Sequence, residues 1–477
     1  MTVCVISCAE SFVLSAGLQY TTCTSSFCSS FAISFICSTP FWVKAGGFDS
    51  SGKTRRTLAS DSPCLTQKSS IFRKTRNLPK KFFKSYNFAQ ISCIVISEER
   101  AWEIAKKIHS LAEIGSKEFE SSKLLVQALK EEGFEVVQGY AGIPTAFRAE
   151  KKIDKGARVA FLAEYDALPL VGHACGHNII AASALLSAIK TVQRANKGSV
   201  VVIGTPDEEG SGEWAGSKII MAEKNCFEDI DFVLMTHPGT EWSVGSPSLA
   251  VQDFEVTFHG VAAHEAATPE KGVSALDAAI LTYTAVNMLR QHVRRDANVV
   301  IHGVIREGGV ASNVTPDKAV LVYGLRSSDT EYLKELIQKF KRIVEGCSIA
   351  TGASYTITPI GPMYTTTVFN EPLMAFAEQV LKQLGVDVVP YTETTKRIPR
   401  GSTDFANVSQ IVPSLEITCK IAPQGTPWHS RDSEKAAVSD EAKKALSIVS
   451  EALARIATRL LTDERFAQEV KSAFKSR

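Results

Sequence analysis

The sequence predicts an α/β domain with a central, mostly parallel sheet, into which a compact α+β unit of ferredoxin-like order is inserted. Three observations predict this. Apolar runs at Arg158–Ala163, Ser199–Gly204 and Asp231–Met235 are of strand length, and helical sequence at Ile179–Arg194 and Glu213–Lys224 separates them. Alternating strands and helices build a parallel sheet with helices on its faces. Near Leu249 the texture changes: Val251–Phe258 alternates apolar and polar residues, as a strand with one wet face does. From there the elements run strand, helix, strand, strand, helix, strand, which is the ferredoxin-like order.

Taken in chain order, Glu98–Ser116 reads as an amphipathic helix with Trp102, Ala105, Ile108, Leu111 and Ala112 on one face. Ser121–Glu132 is a second helix, closed by Gly133. Inside the insert, the strand at Val251 is followed by a long helix at Ser274–His292 and strands at Asn298–Ile305 and Ala319–Leu325. A helix at Glu331–Glu345 and a strand at Ser354–Thr358 complete it. After Met363 come a helix (Pro372–Leu384), a strand (Ser414–Thr418) and a final helix (Ser439–Leu461). Residues 96–249 and 363–477 therefore form two parts of one α/β domain, and 250–362 the insert. No internal repeat is present.

Composition narrows the function classes. With 44% hydrophobic and 22% charged residues, the 477-residue chain is ordinary for a soluble globular protein of two or three domains. A formal net charge of +2 points away from nucleic acid and from an anionic membrane surface. No internal apolar run reaches the ~20 residues that span a bilayer. Residues 1–95 differ from the rest: they are rich in Ser, Thr, Cys and Phe, and their only acids are Glu10, Asp49 and Asp61. Basic stretches at Arg73–Arg76 and Lys80–Lys84 follow. That is the composition of an organelle transit peptide, and the alternative is an unstructured extension without function. Seven of the 11 cysteines lie in this segment; the four later thiols are scattered. Scattered thiols indicate a reducing compartment, hence a cytoplasmic protein, or an organellar one if the segment targets it.

Four loops carry chemistry. His173-Ala-Cys-Gly-His177 follows the first strand, where active-site groups of open α/β sheets lie. Cys and His suit zinc or a similar ion, although a Cys between Gly and His also occurs in ordinary loops. Thr205-Pro-Asp-Glu-Glu-Gly210 follows the second strand. Three adjacent carboxylates repel unless cations or solvent compensate them, and at a strand's carboxyl end they read as one metal ligand and one base. His237-Pro-Gly ends the third strand, and Thr426-Pro-Trp-His429 lies in a Gly/Pro-rich loop. A lone His is usually structural; the weight comes from recurrence.

At these residues the sequence resembles the di-metal aminoacylase and dipeptidase family, in the branch that holds p-aminobenzoyl-glutamate hydrolases, indole-acetyl-amino-acid hydrolases and proteins like β-alanyl-lysine dipeptidase. The stretches that carry the resemblance are Ala163–Pro169, Gly172–Asn178, Gly204–Gly210, Gly260–His264, Ser312–Asp317 and Gly401–Asp404, in the family's order. The resemblance implies a zinc-peptidase-like catalytic domain with a lid that mediates homodimerisation. It implies two divalent ions (Zn, Mn or Co) held by Cys175, His177, Glu209, His237 and His429, with Cys175 bridging. Glu208 would be the general base and Asp166 would orient a ligand. His264 would reach from the lid into a partner's site to stabilise the oxyanion. Asn313 and Arg326 would hold a substrate carboxylate. Many relatives carry Asp where this chain has Asn178; the dipeptidase-like branch resembles this chain there, which lowers the weight of indole-acetyl substrates.

The expected activity is hydrolysis of an amide next to a free carboxylate, in a dipeptide, an N-acyl amino acid or p-aminobenzoyl-glutamate. A binding protein that keeps the fold without turnover is the alternative, and it is disfavoured because base and ligands occur together. A hydrolase with Cys175 as nucleophile and His177 as its base is a second alternative, made awkward by their adjacency in one loop.

Overall fold

The computed structural model describes residues 97–476, so the targeting reading of residues 1–95 lies outside the described residues. Helix α1 (Glu98–Leu111) starts at Ser97, whose side chain accepts from the Arg100 N–H, and buries Trp102, Ala105 and Ile108 as the periodicity predicts. It ends short of the expected Ser116, at Ala112 in a left-handed turn. The segment beyond it is used elsewhere: the Glu113 carbonyl accepts from the Ala167 N–H at 2.8 Å, and the Ser116 hydroxyl donates to Asp207. Helix α2 (Phe119–Glu131) leads to β1 (Glu135–Gln138) and β2 (Phe147–Lys152).

The centre of the sheet is β3 (Arg158–Ala163), β4 (Ser199–Gly204) and β5 (Phe232–Gly239), with α3 (His177–Arg194) and α4 (Ser217–Glu223) between them. Strands β3 and β4 match the sequence expectation residue for residue. Helix α4 begins later than expected because Gly216 is left-handed and the Trp214 N–H is taken by the Asp207 carboxylate. A short β6 (Trp242–Val244) precedes the insert. The insert consists of β7 (Ala250–His259), α5 (Ala275–Leu289), β8 (Val300–Glu307), β9 (Lys318–Ser327), α6 (Thr330–Thr351) and β10 (Ser354–Tyr364). The chain then continues through α7 (Glu371–Gln383), β11 (Val388–Val389), α8 (Tyr391–Thr394), α9 (Phe405–Ile411) and β12 (Ser414–Lys420). It finishes with α10 (Arg431–Ala436), α11 (Asp440–Thr462) and α12 (Glu464–Lys475).

Eight strands form one sheet in the order β1-β2-β4-β3-β5-β12-β6-β11. The neighbours β4, β3, β5 and β12 run parallel. The expected largely parallel sheet is therefore mixed: the pairings β1–β2, β2–β4 and β6–β12 are antiparallel, while β6 and β11 run parallel. The central strands are apolar throughout because both faces are covered. Phe161, Val202 and Leu234 pack with the buried faces of α1, α3 and α11, whereas Leu162, Val201 and Val233 pack toward α4 and α9. The second sheet, β10-β7-β9-β8, is wholly antiparallel. Its core joins Phe254, Val256 and Phe258 to Leu333, Leu336 and Phe340 of α6, while Asp253 and Glu255 of β7 remain partly exposed. No helix of the described residues is long and apolar enough to cross a membrane. Cys175, Cys226, Cys347 and Cys419 are all free.

Candidate metal centre

Parallel strands share an edge at their carboxyl ends, so loops far apart in sequence meet there. From β3 come Glu164 and Asp166, from β4 Glu208 and Glu209, from β5 His237, and from the loop beyond β12 His429. The turn that carries Cys175 opens α3 through Gly176, at φ 79°. A side chain at Gly176 would meet Pro238 at 2.8 Å, so only glycine lets this turn close against the His237 loop.

The donor atoms converge. Three overlapping groups, Cys175–His177–His237, Cys175–Glu209–His429 and His177–Glu208–Glu209, each have their ligand atoms within 4.8 Å of one another. Cys175 Sγ lies 3.4 Å from His237 Nε2, and His429 Nε2 lies 3.6 Å from Glu209 Oε1. His237 Nδ1 faces the Pro238 carbonyl at 2.8 Å, which leaves Nε2 pointing at the cluster. Asp166 is fully buried and serves two partners. Its Oδ1 sits 2.8 Å from His177 Nδ1, and its Oδ2 accepts from the Glu209 N–H at 2.9 Å. One carboxylate thereby orients two members of the cluster.

The triple acid Asp207-Glu208-Glu209 divides its labour. Asp207, at φ 58°, accepts from the N–H groups of Ser211, Gly212 and Trp214 and so ties the loop down. Its own N–H donates to Glu118 at 2.9 Å. Glu208 and Glu209 are left facing His177 Nε2, each at 3.9 Å. Burial, with Glu164 and Asp404 nearby, pushes the Glu208 carboxyl well above the usual carboxylate range. Burial likewise pushes the Cys175 thiol up to about 12.

The residues fit a metal on two grounds. Buried His177 Nε2 and Glu209 Oε1 have no hydrogen-bond partner among the described residues, a costly state for polar atoms that a coordinated cation relieves. The donor set of one thiolate, three imidazoles and carboxylate oxygen suits borderline divalent ions.

A second buried layer lies behind the cluster. Lys218 of α4, Glu164 and Asp404 are each 0% exposed. Lys218 Nζ contacts Glu164 Oε1 at 2.8 Å and Asp404 Oδ1 at 2.5 Å, and Glu164 Oε2 lies 3.5 Å from His177 Nε2. Sequence reasoning gives these three no role. Asp404 lies in a recognised stretch, and Lys218 is the lone charge opening the apolar run Ile219-Ile220-Met221.

The other expected site residues divide. Arg326 lines a cavity of about 760 Å³ together with Glu208, Glu209, His429, Tyr364 and Arg400. His264 and Asn313 line neither this cavity nor a neighbouring one of about 440 Å³ beside His237. They are exposed on the insert, where His264 bridges to Val314 and the Asn313 carbonyl accepts from the Glu265 N–H. Within one chain, Asn313 is therefore not beside Arg326 in the cavity. Asn178 donates to the Ala437 carbonyl at 2.9 Å; it fastens α3 to the end of α10.

Sheet order and site together define a hydrolase of the metallopeptidase class, and comparison with known proteins agrees. The model of peptidase family M20/M25/M40 matches residues 160–457. The mouse Xaa-Arg dipeptidase is 36% identical, over 71% of this chain and 80% of its own length. One of the subunits of the Escherichia coli p-aminobenzoyl-glutamate hydrolase is 26% identical, over 79% of this chain and 92% of its own. A dinuclear metal-binding peptidase of Bacillus subtilis shares the fold, with a TM-score of 0.58 at 21% identity over 76% of this chain and 98% of that one. The chain belongs to peptidase family M20/M25/M40. It is a metal-dependent hydrolase of amide bonds, and nothing in these comparisons favours the catalytically silent alternative.

Proposed function

We propose that the chain hydrolyses the amide bond of a dipeptide or N-acyl amino acid whose leaving side carries a free carboxylate. Two divalent ions, of zinc, manganese or cobalt, would be held by Cys175, His177, Glu209, His237 and His429. The single observation that carries this reading is the overlap of three donor groups within 4.8 Å, centred on Cys175 and His177. The relatives named as an Xaa-Arg dipeptidase and a p-aminobenzoyl-glutamate hydrolase support the substrate class.

Such ions supply positive charge that makes a water acidic and polarises the scissile carbonyl. Glu208 takes the water's proton as its oxygen adds to the carbonyl carbon, then delivers that proton to the amide nitrogen as the C–N bond breaks. The products are a carboxylic acid and an amine, which ionise to carboxylate and ammonium near neutral pH. Asp166 keeps the His177 imidazole and the Glu209 backbone in place throughout. Arg326, in the same cavity as Glu208, pairs with the substrate carboxylate.

Residues 250–362 form a ferredoxin-like lid on this reading, and residues 96–249 and 363–477 the catalytic domain. The lid meets a second copy of the chain, which brings His264 and Asn313 to the partner's site. Support comes from the exposed apolar residues Leu281 and Met288 of α5 and Val304 of β8; β8 is also a free edge of its sheet.

The test is metal analysis joined to a substrate panel of dipeptides, N-acyl amino acids and p-aminobenzoyl-glutamate, assayed with manganese, zinc and cobalt. Turnover of a carboxylate-bearing amide is expected, with metal content falling in Cys175→Ala and His429→Ala. Full metal occupancy in both variants refutes the ligand set.

A further inference from the structure

Resting on the hydrolytic reading above, we propose that Glu416, at the floor of the cavity beside His237, binds a cationic group of the substrate, an ammonium or a guanidinium. The cavity measures about 440 Å³, and His237, Ser246, Ser402, Glu416, Thr418 and Trp428 are among its walls. It shares Gly401 and Ser402 with the larger cavity that holds Glu208 and Arg326. One cavity thus meets the donor cluster at His237, the other at Glu208, Glu209 and His429.

Glu416 projects from β12 and is 9% exposed. The strand register sets Thr418 opposite His237 and Glu416 opposite Met235. Glu416 thus lies two residues deeper than the level of the donor cluster, about 7 Å along the strand. That is within reach of a side chain or terminal amine of a bound substrate. No Lys, Arg or His makes an ion pair with Glu416 among the described residues; its near partner is the neutral Ser246 hydroxyl, and Lys218, which acts on it from farther off, is already paired with Glu164 and Asp404. Burial, with Glu164 beyond, pushes its carboxyl up to about 7. A buried carboxylate with no cation beside it is costly, and a cation entering the cavity removes that cost.

Other charges at the cavity do not supply it. Arg397 is held by Glu241 through both guanidinium nitrogens, so these two satisfy each other and Glu416 stays unmatched. Trp428 adds an aromatic wall of the kind that attracts ammonium and guanidinium groups. The other cavity carries Arg326 and Arg400. With Arg397 matched by Glu241, Glu416 is the acid left over in one cavity, while in the other Arg326 and Arg400 stand beside Glu208, Glu209, Glu213 and Asp253. A substrate with a cation at one end, for Glu416, and a carboxylate at the other, for Arg326, fits the pair of cavities.

Two parts of a dipeptide can provide the cation: its free α-amine or a basic side chain. The test compares kcat/KM of the full, manganese-loaded chain on Ala-Arg, Ala-Leu, N-acetyl-Arg and N-acetyl-Leu, in the wild type and in Glu416→Gln and Glu416→Asp. The wild type should favour substrates that carry the cation. In Glu416→Gln that preference should fall roughly 10- to 100-fold, the worth of a hydrogen bond to a charged group, while Glu416→Asp keeps part of it. Collapse of the Arg-over-Leu ratio assigns the site to a side chain; collapse of the free-amine-over-acetyl ratio assigns it to the amine. The proposal is overturned if the wild type turns over N-acetyl-Leu as well as the other three, or if Glu416→Gln lowers all four rates by one factor. A wild type that hydrolyses none of the four overturns the hydrolytic reading, and the cation site with it.

Discussion

Replacing Lys218 with methionine removes a cation from a layer where it faces two carboxylates. Lys218 Nζ sits 2.8 Å from Glu164 and 2.5 Å from Asp404, and all three side chains are fully buried. Against the cost of burial, Asp404 and Glu164 hold the ammonium far into its charged range. Methionine matches the length of the stem but leaves two buried carboxylates facing each other without compensation. Removing one partner of a buried ion pair costs roughly 3–5 kcal/mol, and the loss of two partners places this site in the upper part of that range. Unfolding entropy is roughly 2.1 cal/mol/K per residue, so about 380 ordered residues make about 0.8 kcal/mol/K and a melting temperature lower by about 4–6 °C. The assay is thermal unfolding followed by circular dichroism, in chelator, so that bound metal stabilises neither variant. Lys218→Met combined with Asp404→Asn should recover part of the loss, because one uncompensated charge is then gone. An unchanged melting temperature in Lys218→Met, or a double variant worse by the sum of both single effects, refutes the reasoning.

Further outcomes follow from the same geometry. Glu208→Ala should lose about 10²–10⁴-fold in kcat while metal content, read by elemental analysis, stays at the wild-type level; normal turnover would remove Glu208 from the proton path. Arg326→Met should raise KM for a dipeptide roughly 10- to 100-fold and leave the corresponding dipeptide amide nearly unaffected, so an equal loss on both speaks against carboxylate binding. Glu416 makes stability depend on pH: its folded pKa of about 7 lies above the ordinary 4.5, so ionising it costs the folded state nothing below pH 4.5 and the full amount above pH 7. Glu416→Gln removes that cost, and chemical denaturation should show the variant gaining on the wild type by up to about 3 kcal/mol as pH rises from about 5 to about 8. A stability difference that is flat across that interval is the contrary result.

The parts of this chain that can be read in advance are those whose environment is uniform along the element. Strands β3 and β4 are apolar at nearly every position because helices cover both faces, so their limits emerge residue for residue. Strand β1 escapes a reading by period because Glu135–Gln138 is largely exposed and offers none, and β11 because two residues are too few to carry one. Helix α12 is absent from the sequence expectation although Phe466 and Val470 bury a clear stripe; the expected final helix stops at the end of α11. Helix α1 is shorter than its pattern suggests, because the periodicity runs on past Ala112, where contacts with Ala167 and Asp207 take the chain away.

By itself the sequence determined which chemistry is present: a thiol, imidazoles and carboxylates in loops at strand ends, in an order that marks the family. Ligand types and local periods are properties of short stretches, and short stretches retain them whatever surrounds them. Only the tertiary structure decided which of three adjacent acids fastens the loop and which face His177, that Lys218 sits between Glu164 and Asp404, and that Glu416 is buried beside a cavity with no ion pair of its own. Those facts depend on which strands are neighbours and on how much water reaches each group. Burial and pairing between residues some 30 to 190 positions apart have no signature in any local pattern.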